Sequence, residues 1–258
     1  MENRNPTPYK DVNQVLSRLS DGLVNVFGNQ LVGLYLTGSL TYGDFEPGSS
    51  DIDFLAVLEN EPSMAEVESI KALHKEIAKA VPLWAKRLEG SYLSKDLLSI
   101  DRPVKERPYV NNGEVKLCLY GNEWIINLYA LQEAGITLIG RPLADILPEV
   151  KIGQVRQASL LDLKDDWLPK LNDSKAFDQP DYDSSHIKAY TVLTMCRILH
   201  RANNDGVASK RVATKWVKQT YPEWSDLVTQ AEQWQHGMPM PSDELVKDFI
   251  RFTRNELI

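Results

Sequence analysis

The stretch TGSLTYGDFEPGSSDIDF, residues 37–54, contains a Gly-Ser pair, a polar loop and then two aspartates separated by one apolar residue. One apolar run, LVGLYLT, leads into it at residues 31–37, and a second, DIDFLAVL, occupies residues 51–58. Short apolar runs bounded by turn residues are typical of buried strands. We therefore predict a strand, a turn, a loop and a second strand that begins with the two aspartates.

Asp51 and Asp53 are two positions apart, so on a strand their carboxylates point to the same face. Paired carboxylates suit Mg²⁺, and two such ions can stabilise both the attacking and the leaving oxygen of a displacement at phosphorus. Gly38 would let a phosphate approach the backbone, and the Ser39 hydroxyl could donate a hydrogen bond to it. A lone Asp-x-Asp or Gly-Ser pair is more often a solvated turn, but the combination indicates nucleotidyl transfer.

Composition and charge restrict the class of protein. The chain has 258 residues, of which 43% are hydrophobic and 25% charged, as in soluble globular proteins. It has neither an apolar run of membrane-spanning length nor an apolar signal segment at its start, so we expect a cytoplasmic protein with no membrane partner. The net charge of −7 disfavours nucleic acid as a partner and suits a small or cationic substrate.

Cysteine and histidine offer no support for other site types. The two cysteines lie in apolar periodic segments, which argues against a disulfide framework or a cysteine metal site. The four histidines have no ligand-like spacing, so we expect them to be structural or exposed.

Periodicity predicts a change of architecture along the chain. Helices are expected at residues 8–27 and from Ser63, where Ser63 and Glu66 have capping-box spacing; a third strand is expected at 87–94 and an exposed loop at 101–115. Further helices are predicted at 122–134, 185–202, 209–220, 224–235 and 242–256, with Ser209 and Ser242 as N-caps. Strands followed by helices predict an α+β domain at residues 1–155 and a helical domain at 156–258.

The motif residues resemble the DNA polymerase β-like nucleotidyltransferase superfamily, and within it the streptomycin and spectinomycin adenylyltransferases. The similarity continues in RLEGSYLS (87–94), LYALQEAGITLIGRPLADILPEV (128–150) and TVLTMCRILHRANNDGVASKRVATKWV (191–217). This resemblance implies an N-terminal nucleotidyltransferase domain with a mixed sheet and an all-α C-terminal domain. It also implies an enzyme that moves AMP from ATP onto an aminoglycoside or aminocyclitol, giving antibiotic resistance; we expect a monomer.

The resemblance assigns roles to residues of the N-terminal domain. Gly38 and Ser39 would contact the nucleotide phosphates, with Ser50 beside them, and Asp51 and Asp53 would bind the metal ions. Glu89 would be the third carboxylate of the metal site and the general base on the acceptor hydroxyl. From the strand pattern alone, a glutamate at this position is more often simply exposed.

The resemblance also assigns ATP-binding residues in the helical domain. Arg197 and Lys210 match basic family positions that hold the ATP phosphates, and Trp234 roughly matches an aromatic position near the base. As plain residues, Arg197 and Lys210 would be solvated helix charges, and core packing is the alternative for Trp234.

The acceptor region departs from the family pattern. Relatives that accept streptomycin have a tryptophan, and an aspartate five residues later, just before the first long helix of the C-terminal domain. The corresponding stretch DQPDYDSSHIK, residues 178–188, has Tyr182 and then Ile187, with Asp181 and Asp183 displaced. We therefore predict that spectinomycin is preferred to streptomycin and that Glu89, Tyr182, Asp181 and Asp183 contact the acceptor. The alternative is a solvated acidic loop with no part in binding.

Two other functions remain open from the sequence. The same chemistry could modify a protein or another small metabolite, or the chain could be a non-catalytic nucleotide-binding regulator. The intact set of three carboxylates argues against the regulator, and the acidic balance makes RNA extension the weaker enzymatic alternative.

Overall fold

The computed structural model describes residues 6–48, 50–179, 183–206 and 208–258. The chain divides into two compact units, Met1–Val150 and Lys151–Ile258. The boundary predicted after residue 155 falls inside the first helix of the second unit, Ile152–Asp162. No helix within the described ranges is long and apolar enough to span a bilayer.

The first unit is built on a mixed sheet. Its strands, within the described residues, are β1 (Leu31–Thr37), β2 (Ile52–Leu58), β3 (Leu88–Ser94), β4 (Arg107–Asn111), β5 (Glu114–Cys118) and β6 (Ile136–Gly140). They lie in the order β5-β4-β3-β2-β1-β6. β2 and β3 are parallel, whereas β1 is antiparallel to β2 and β4 is antiparallel to β3. The end of β1 therefore meets the starts of β2 and β3 at one edge of the sheet.

Helices complete both units. In the first unit they are α1 (Lys10–Phe27), α2 (Ser39–Tyr42), α3 (Met64–Ala80), α4 (Pro82–Ala85) and α5 (Trp124–Ala134). In the second they are α6 (Ile152–Asp162), α7 (Ser184–Asn203), α8 (Lys210–Thr220), α9 (Ser225–Gln233) and α10 (Asp243–Leu257). The predicted caps at Ser63, Ser209 and Ser242 are confirmed, since each side chain accepts a hydrogen bond from a first-turn amide.

Each unit has its own hydrophobic core. In the first, alternate residues of β2 such as Phe54 and Ala56 pack with α1 and α3 side chains, including Leu19 and Ile70. The other face of β2 is polar at its start, where Asp53 lies, and buried farther along at Leu55 and Val57. The second core is formed by the helical unit. The α+β prediction, with a mixed-sheet unit followed by a helical unit, is confirmed.

The prediction of a loop at residues 101–115 is wrong from residue 107 onward, whereas residues 101–106 form neither helix nor strand. β4 and β5 form a hairpin there, joined by Asn112 and Gly113, both with positive φ, 51° and 78°. Two consecutive turn residues with positive φ match the twist of a two-residue hairpin, for which Asn-Gly is the preferred pair. The periodicity also failed to predict β6 and α6.

Candidate active site

The Gly-Ser turn fixes the position of Asp53. Gly38 directly follows β1, and its φ of 71° and ψ of −154° lie in a region that is essentially restricted to glycine. A Cβ atom built on Gly38 would lie 1.9 Å from Oδ2 of Asp53, so the carboxylate packs directly on the Gly38 backbone. Ser39 then begins α2, a short helix that ends at Tyr42 and has Gly43 as its C-cap. Gly38 is therefore required both for its backbone conformation and for its lack of a side chain.

Asp53 and Glu89 are neighbours across the sheet. They are direct partners in the parallel register of β2 and β3, and Thr37 of β1 pairs with Asp53 on the other side. Adjacent strands lie about 4.8 Å apart, and partners in register project to the same face. Both side chains are half-buried. The sheet thus places two carboxylates side by side next to the Gly-Ser turn.

Tyr109, on the neighbouring strand β4, holds the Glu89 carboxylate in place. Its hydroxyl donates a hydrogen bond to Oε1 of Glu89, and Nδ2 of Asn111 donates to the Tyr109 oxygen at 3.3 Å. Burial, followed by the negative charge of Glu89, raises the pKa of Tyr109, so the phenol stays protonated and remains a donor. The Asn111–Tyr109 pair therefore restricts the orientation of the Glu89 side chain.

Asp51 lies just before β2 and next to a cation. Its side chain is 50% exposed, and its Oδ1 lies 3.9 Å from Nε of Arg87, whose side chain is only 16% exposed. Burial lowers the pKa of Arg87, while the charge of Asp51 opposes that shift. Ser50, which precedes Asp51, accepts a hydrogen bond at Oγ from the amide of Glu46 at 2.9 Å. In this structure, its hydroxyl closes the loop before Asp51.

The three carboxylates suit a hard divalent cation by their chemistry, because carboxylate oxygens are the ligands that Mg²⁺ prefers. The close contact of Asp53 with Gly38 leaves that carboxylate fixed at the edge of the sheet, as a metal ligand needs to be. Among the described residues, however, no group of three or more acidic, histidine or cysteine side chains already surrounds one point. Glu89 is thus the cross-strand partner of Asp53, and Asp51 lies two residues before Asp53. The three carboxylates do not yet surround one point as a complete set of metal ligands.

The ATP-binding residues predicted in the second unit differ in their surroundings. Arg197 is half-buried on α7 and donates from Nη2 to Oγ1 of Thr194 at 3.1 Å, while its buried Nε has no hydrogen-bond partner among the described residues. Lys210 is exposed and is the first residue of α8. Trp234 packs partly on the helical core, and its Nε1 donates to the Met238 carbonyl at 2.8 Å.

The predicted acceptor residues are only partly described. Asp181 and Tyr182 lie outside the described residues. Asp183 is the N-cap of α7 and accepts a hydrogen bond from the Ser185 amide at 2.9 Å. Ile187, at the position of the missing aspartate, is buried in the helical core. One Asp183 oxygen therefore has a structural role in starting the helix.

Sequence reasoning missed Arg87 and Tyr109. Arg87 was included in the predicted third strand without a role, and Tyr109 lay in the segment predicted to be a loop. The Asn112-Gly113 pair between alternating segments was the available signal for the hairpin that carries Tyr109.

Comparisons with known proteins agree with this architecture. The sequence pattern of the nucleotidyltransferase domain family matches residues 16–109, and that of the aminoglycoside adenylyltransferase C-terminal domain matches residues 173–256. Among solved structures, the chain is similar to spectinomycin adenyltransferase AAD(9) from Enterococcus faecialis, determined with ATP and spectinomycin. The TM-score is 0.71 and the identity 19%, over 95% of this chain and 98% of that chain.

Two further comparisons add little. A toxin–antitoxin structure with AMP-PNP has a TM-score of 0.31 and 14% identity, over 57% of this chain and 90% of that chain, which is too weak to carry an argument. No curated protein sequence matches.

The order of the two matched domains identifies the chain. A nucleotidyltransferase domain covers the motif residues Gly38, Asp51, Asp53 and Glu89, and the C-terminal domain specific to one group of these enzymes follows it. The likeness to AAD(9) shows that the fold is shared over nearly the whole length of both chains. The chain is a nucleotidyltransferase and belongs to the aminoglycoside adenylyltransferase family.

Proposed function

We propose that this protein transfers AMP from ATP to a hydroxyl group of an aminocyclitol or aminoglycoside antibiotic and thereby gives resistance to it. The observation that carries the proposal is the pairing of Asp53 with Glu89 beside the Gly38 turn, in a chain of this family. The likeness to a spectinomycin adenyltransferase that was determined with ATP and spectinomycin supports both substrates.

Glu89 is the general base in this proposal. Its Oε1 accepts a hydrogen bond from Tyr109, which orients the carboxylate, and the carboxylate would take the proton of the acceptor hydroxyl. The hydroxyl oxygen then forms a bond to the α-phosphorus, while the bond from that phosphorus to the departing oxygen breaks. Pyrophosphate leaves with the electron pair, and the proton remains on Glu89.

Asp51 and Asp53 would hold Mg²⁺, which would offset the negative charge of the triphosphate. Gly38 and Ser39 would bind phosphate oxygens through the backbone amide and the hydroxyl, and Arg197 and Lys210 would supply positive charge to the same phosphates. The buried Nε of Arg197, which has no hydrogen-bond partner among the described residues, supports a role in binding an anion.

Spectinomycin is the acceptor that we propose, in preference to streptomycin. Streptomycin carries guanidinium groups, which favour a fixed carboxylate partner. At the position where the streptomycin-accepting relatives have that aspartate, this chain has Ile187, which is buried. The carboxylate of Asp183 caps a helix, which reduces its capacity to replace the missing partner.

A panel assay tests this function. Purified protein is incubated with ATP, Mg²⁺ and either spectinomycin, streptomycin or other aminoglycosides, and pyrophosphate release and the mass of each drug are measured. We expect adenylylated spectinomycin to form faster than adenylylated streptomycin. Asp53→Asn and Glu89→Gln should each lower turnover by ~10²-fold or more, because they remove a metal-ligand charge and the proton acceptor. Glu68→Gln, which removes the charge of an exposed glutamate on α3, is the matched acidic control and should retain wild-type turnover.

The panel also separates the alternatives. Faster turnover with streptomycin would contradict the acceptor preference. AMP incorporation into protein, with none into any drug, would favour an enzyme that modifies a protein. ATP binding without pyrophosphate release would favour a non-catalytic regulator.

A further inference from the structure

Arg87 binds the loop that leads to Asp51 at several points. Its Nη1 donates to the Pro47 carbonyl at 2.5 Å, its Nη2 donates to the Ser50 carbonyl, and its Nε lies 3.9 Å from Oδ1 of Asp51. One guanidinium group thus contacts three residues within a five-residue segment, 47–51. Arg87 itself belongs to a different part of the chain, immediately before β3.

The Arg87 side chain is itself held in place. The guanidinium carbon lies 4.6 Å from the ring centroid of Trp84, which is buried. The Arg87 amide donates to the Trp84 carbonyl at 3.0 Å, and the Arg87 carbonyl accepts from the amide of Ile52 at 2.7 Å. Because both the ring and the backbone restrict Arg87, its donors have a fixed direction toward the loop.

Two further hydrogen bonds close the loop on itself. The Ser50 amide donates to the Glu46 carbonyl at 2.8 Å, and the Glu46 amide donates to Oγ of Ser50 at 2.9 Å. Both lie inside the loop and do not attach it to the sheet. At the start of the loop Phe45 packs in the core of the first unit, whereas at its end the Arg87 contacts attach it to the start of β3 and reach Asp51, whose carboxylate the adenylyl transfer needs.

We propose that Arg87 is a positioning residue for adenylyl transfer, which attaches segment 47–51 to the sheet and so sets the place of the Asp51 carboxylate. The proposal rests on the function proposed above. The positioning role requires the guanidinium group, whose two terminal nitrogens donate separately to the Pro47 and Ser50 carbonyls. A lysine at position 87 would keep the positive charge, but its single nitrogen could not replace both donors. A merely electrostatic role would need the charge alone.

Hydrogen exchange in the protein without nucleotide tests the attachment. Arg87→Lys and Arg87→Met are compared with wild type and with Lys86→Met, which removes the adjacent exposed cation. We expect amides in a peptide covering residues 44–52 to exchange roughly 10- to 100-fold faster in both Arg87 variants, as for lost charge-assisted hydrogen bonds. In both Arg87 variants, a peptide covering β1 should exchange as in wild type. In the Lys86→Met variant, the peptide covering residues 44–52 should also exchange as in wild type.

Steady-state kinetics with ATP, Mg²⁺ and spectinomycin form the second arm. Misplacing a group at the reacting centre by about 1 Å can cost ~10²-fold, so kcat should fall by roughly 10- to 100-fold in both Arg87 variants, with a smaller change in KM for ATP. Lys86→Met should retain wild-type kcat.

Faster exchange confined to residues 44–52, together with a lower kcat in both variants, supports the proposal. Unchanged exchange of that peptide, or wild-type kcat in Arg87→Lys, would overturn it. Faster exchange throughout the sheet would also overturn it, because Arg87 would then stabilise the whole unit. If the wild-type protein transferred no AMP, the proposed function would fail, while the exchange arm would still decide whether Arg87 holds the segment.

Discussion

Replacing Gly38 with alanine should damage the site and the fold by separable amounts. The φ of 71° and ψ of −154° at this position are essentially restricted to glycine, so alanine should introduce about 1–3 kcal/mol of backbone strain. Its Cβ would also lie 1.9 Å from Oδ2 of Asp53, where real Cβ contacts are at least 3.0 Å. The Asp53 carboxylate would therefore have to move by about 1 Å, a displacement that can cost ~10²-fold in rate.

Gly43→Ala is the matched control. Gly43 also has a positive φ, 72°, but its ψ of 18° is left-handed helical and nothing lies within 4 Å of a built Cβ. Alanine there should cost about 1–2 kcal/mol of stability without moving Asp53. Both variants thus introduce a methyl group and backbone strain, and only one of them reaches the carboxylate.

Urea unfolding measures the stability of the two variants. Steady-state AMP transfer is then compared under conditions where both variants are fully folded. We expect Gly38→Ala to lose ~10²-fold in kcat/KM, while Gly43→Ala stays within about threefold of wild type. If Gly38→Ala were as active as Gly43→Ala at equal folded fraction, the contact between Gly38 and Asp53 would have no part in catalysis.

Three other predictions address separate features. Tyr109→Phe removes the hydrogen bond to Glu89, so kcat should fall by about tenfold with little change in ATP affinity; equal kcat in the variant would contradict the orienting role. His74 is buried and its pKa is lowered to about 4 by desolvation, so below pH 6.5 the unfolded state binds a proton that the folded state does not. Stability should therefore fall by about 3 kcal/mol between pH 6.5 and pH 4, and the difference between wild type and His74→Gln in urea unfolding should show this slope, whereas parallel pH profiles would refute it. Arg197→Ala and Lys210→Ala should each weaken Mg·ATP binding in calorimetry, and unchanged affinity in the double variant would return both residues to a role as helix surface charges.

The part of the site in residues 37–54 could be predicted because its pattern lies within one short stretch of sequence. The strand, the Gly-Ser turn and the Asp-x-Asp pair are contiguous in sequence. The role of Glu89, in contrast, came from the family resemblance, and its place beside Asp53 depends on the pairing of β2 with β3. Helix starts were similarly accessible, since a serine cap and a glutamate three residues later, as at Ser63 and Glu66, act within one turn.

The supporting contacts could not be predicted because they depend on tertiary geometry. Arg87 reaches the Pro47 carbonyl 40 residues earlier in the chain, and no residue pattern specifies a contact from a side chain to a distant carbonyl. Tyr109 meets Glu89 only because β4 pairs with β3, and its segment is rich in the proline, asparagine and glycine that also favour loops. Turn residues thus concealed a hairpin whose Asn-Gly pair was the decisive signal.

A label on the α-phosphate of ATP shows whether the protein transfers AMP to the drug. The protein is incubated with spectinomycin and ATP labelled either at the α- or at the γ-phosphate, and the drug and the released phosphates are separated. We expect the α label to move to spectinomycin and the γ label to appear in pyrophosphate, and we expect Glu89→Gln nearly to abolish both. Transfer of the γ label to the drug, or no label on the drug with either ATP, would contradict it.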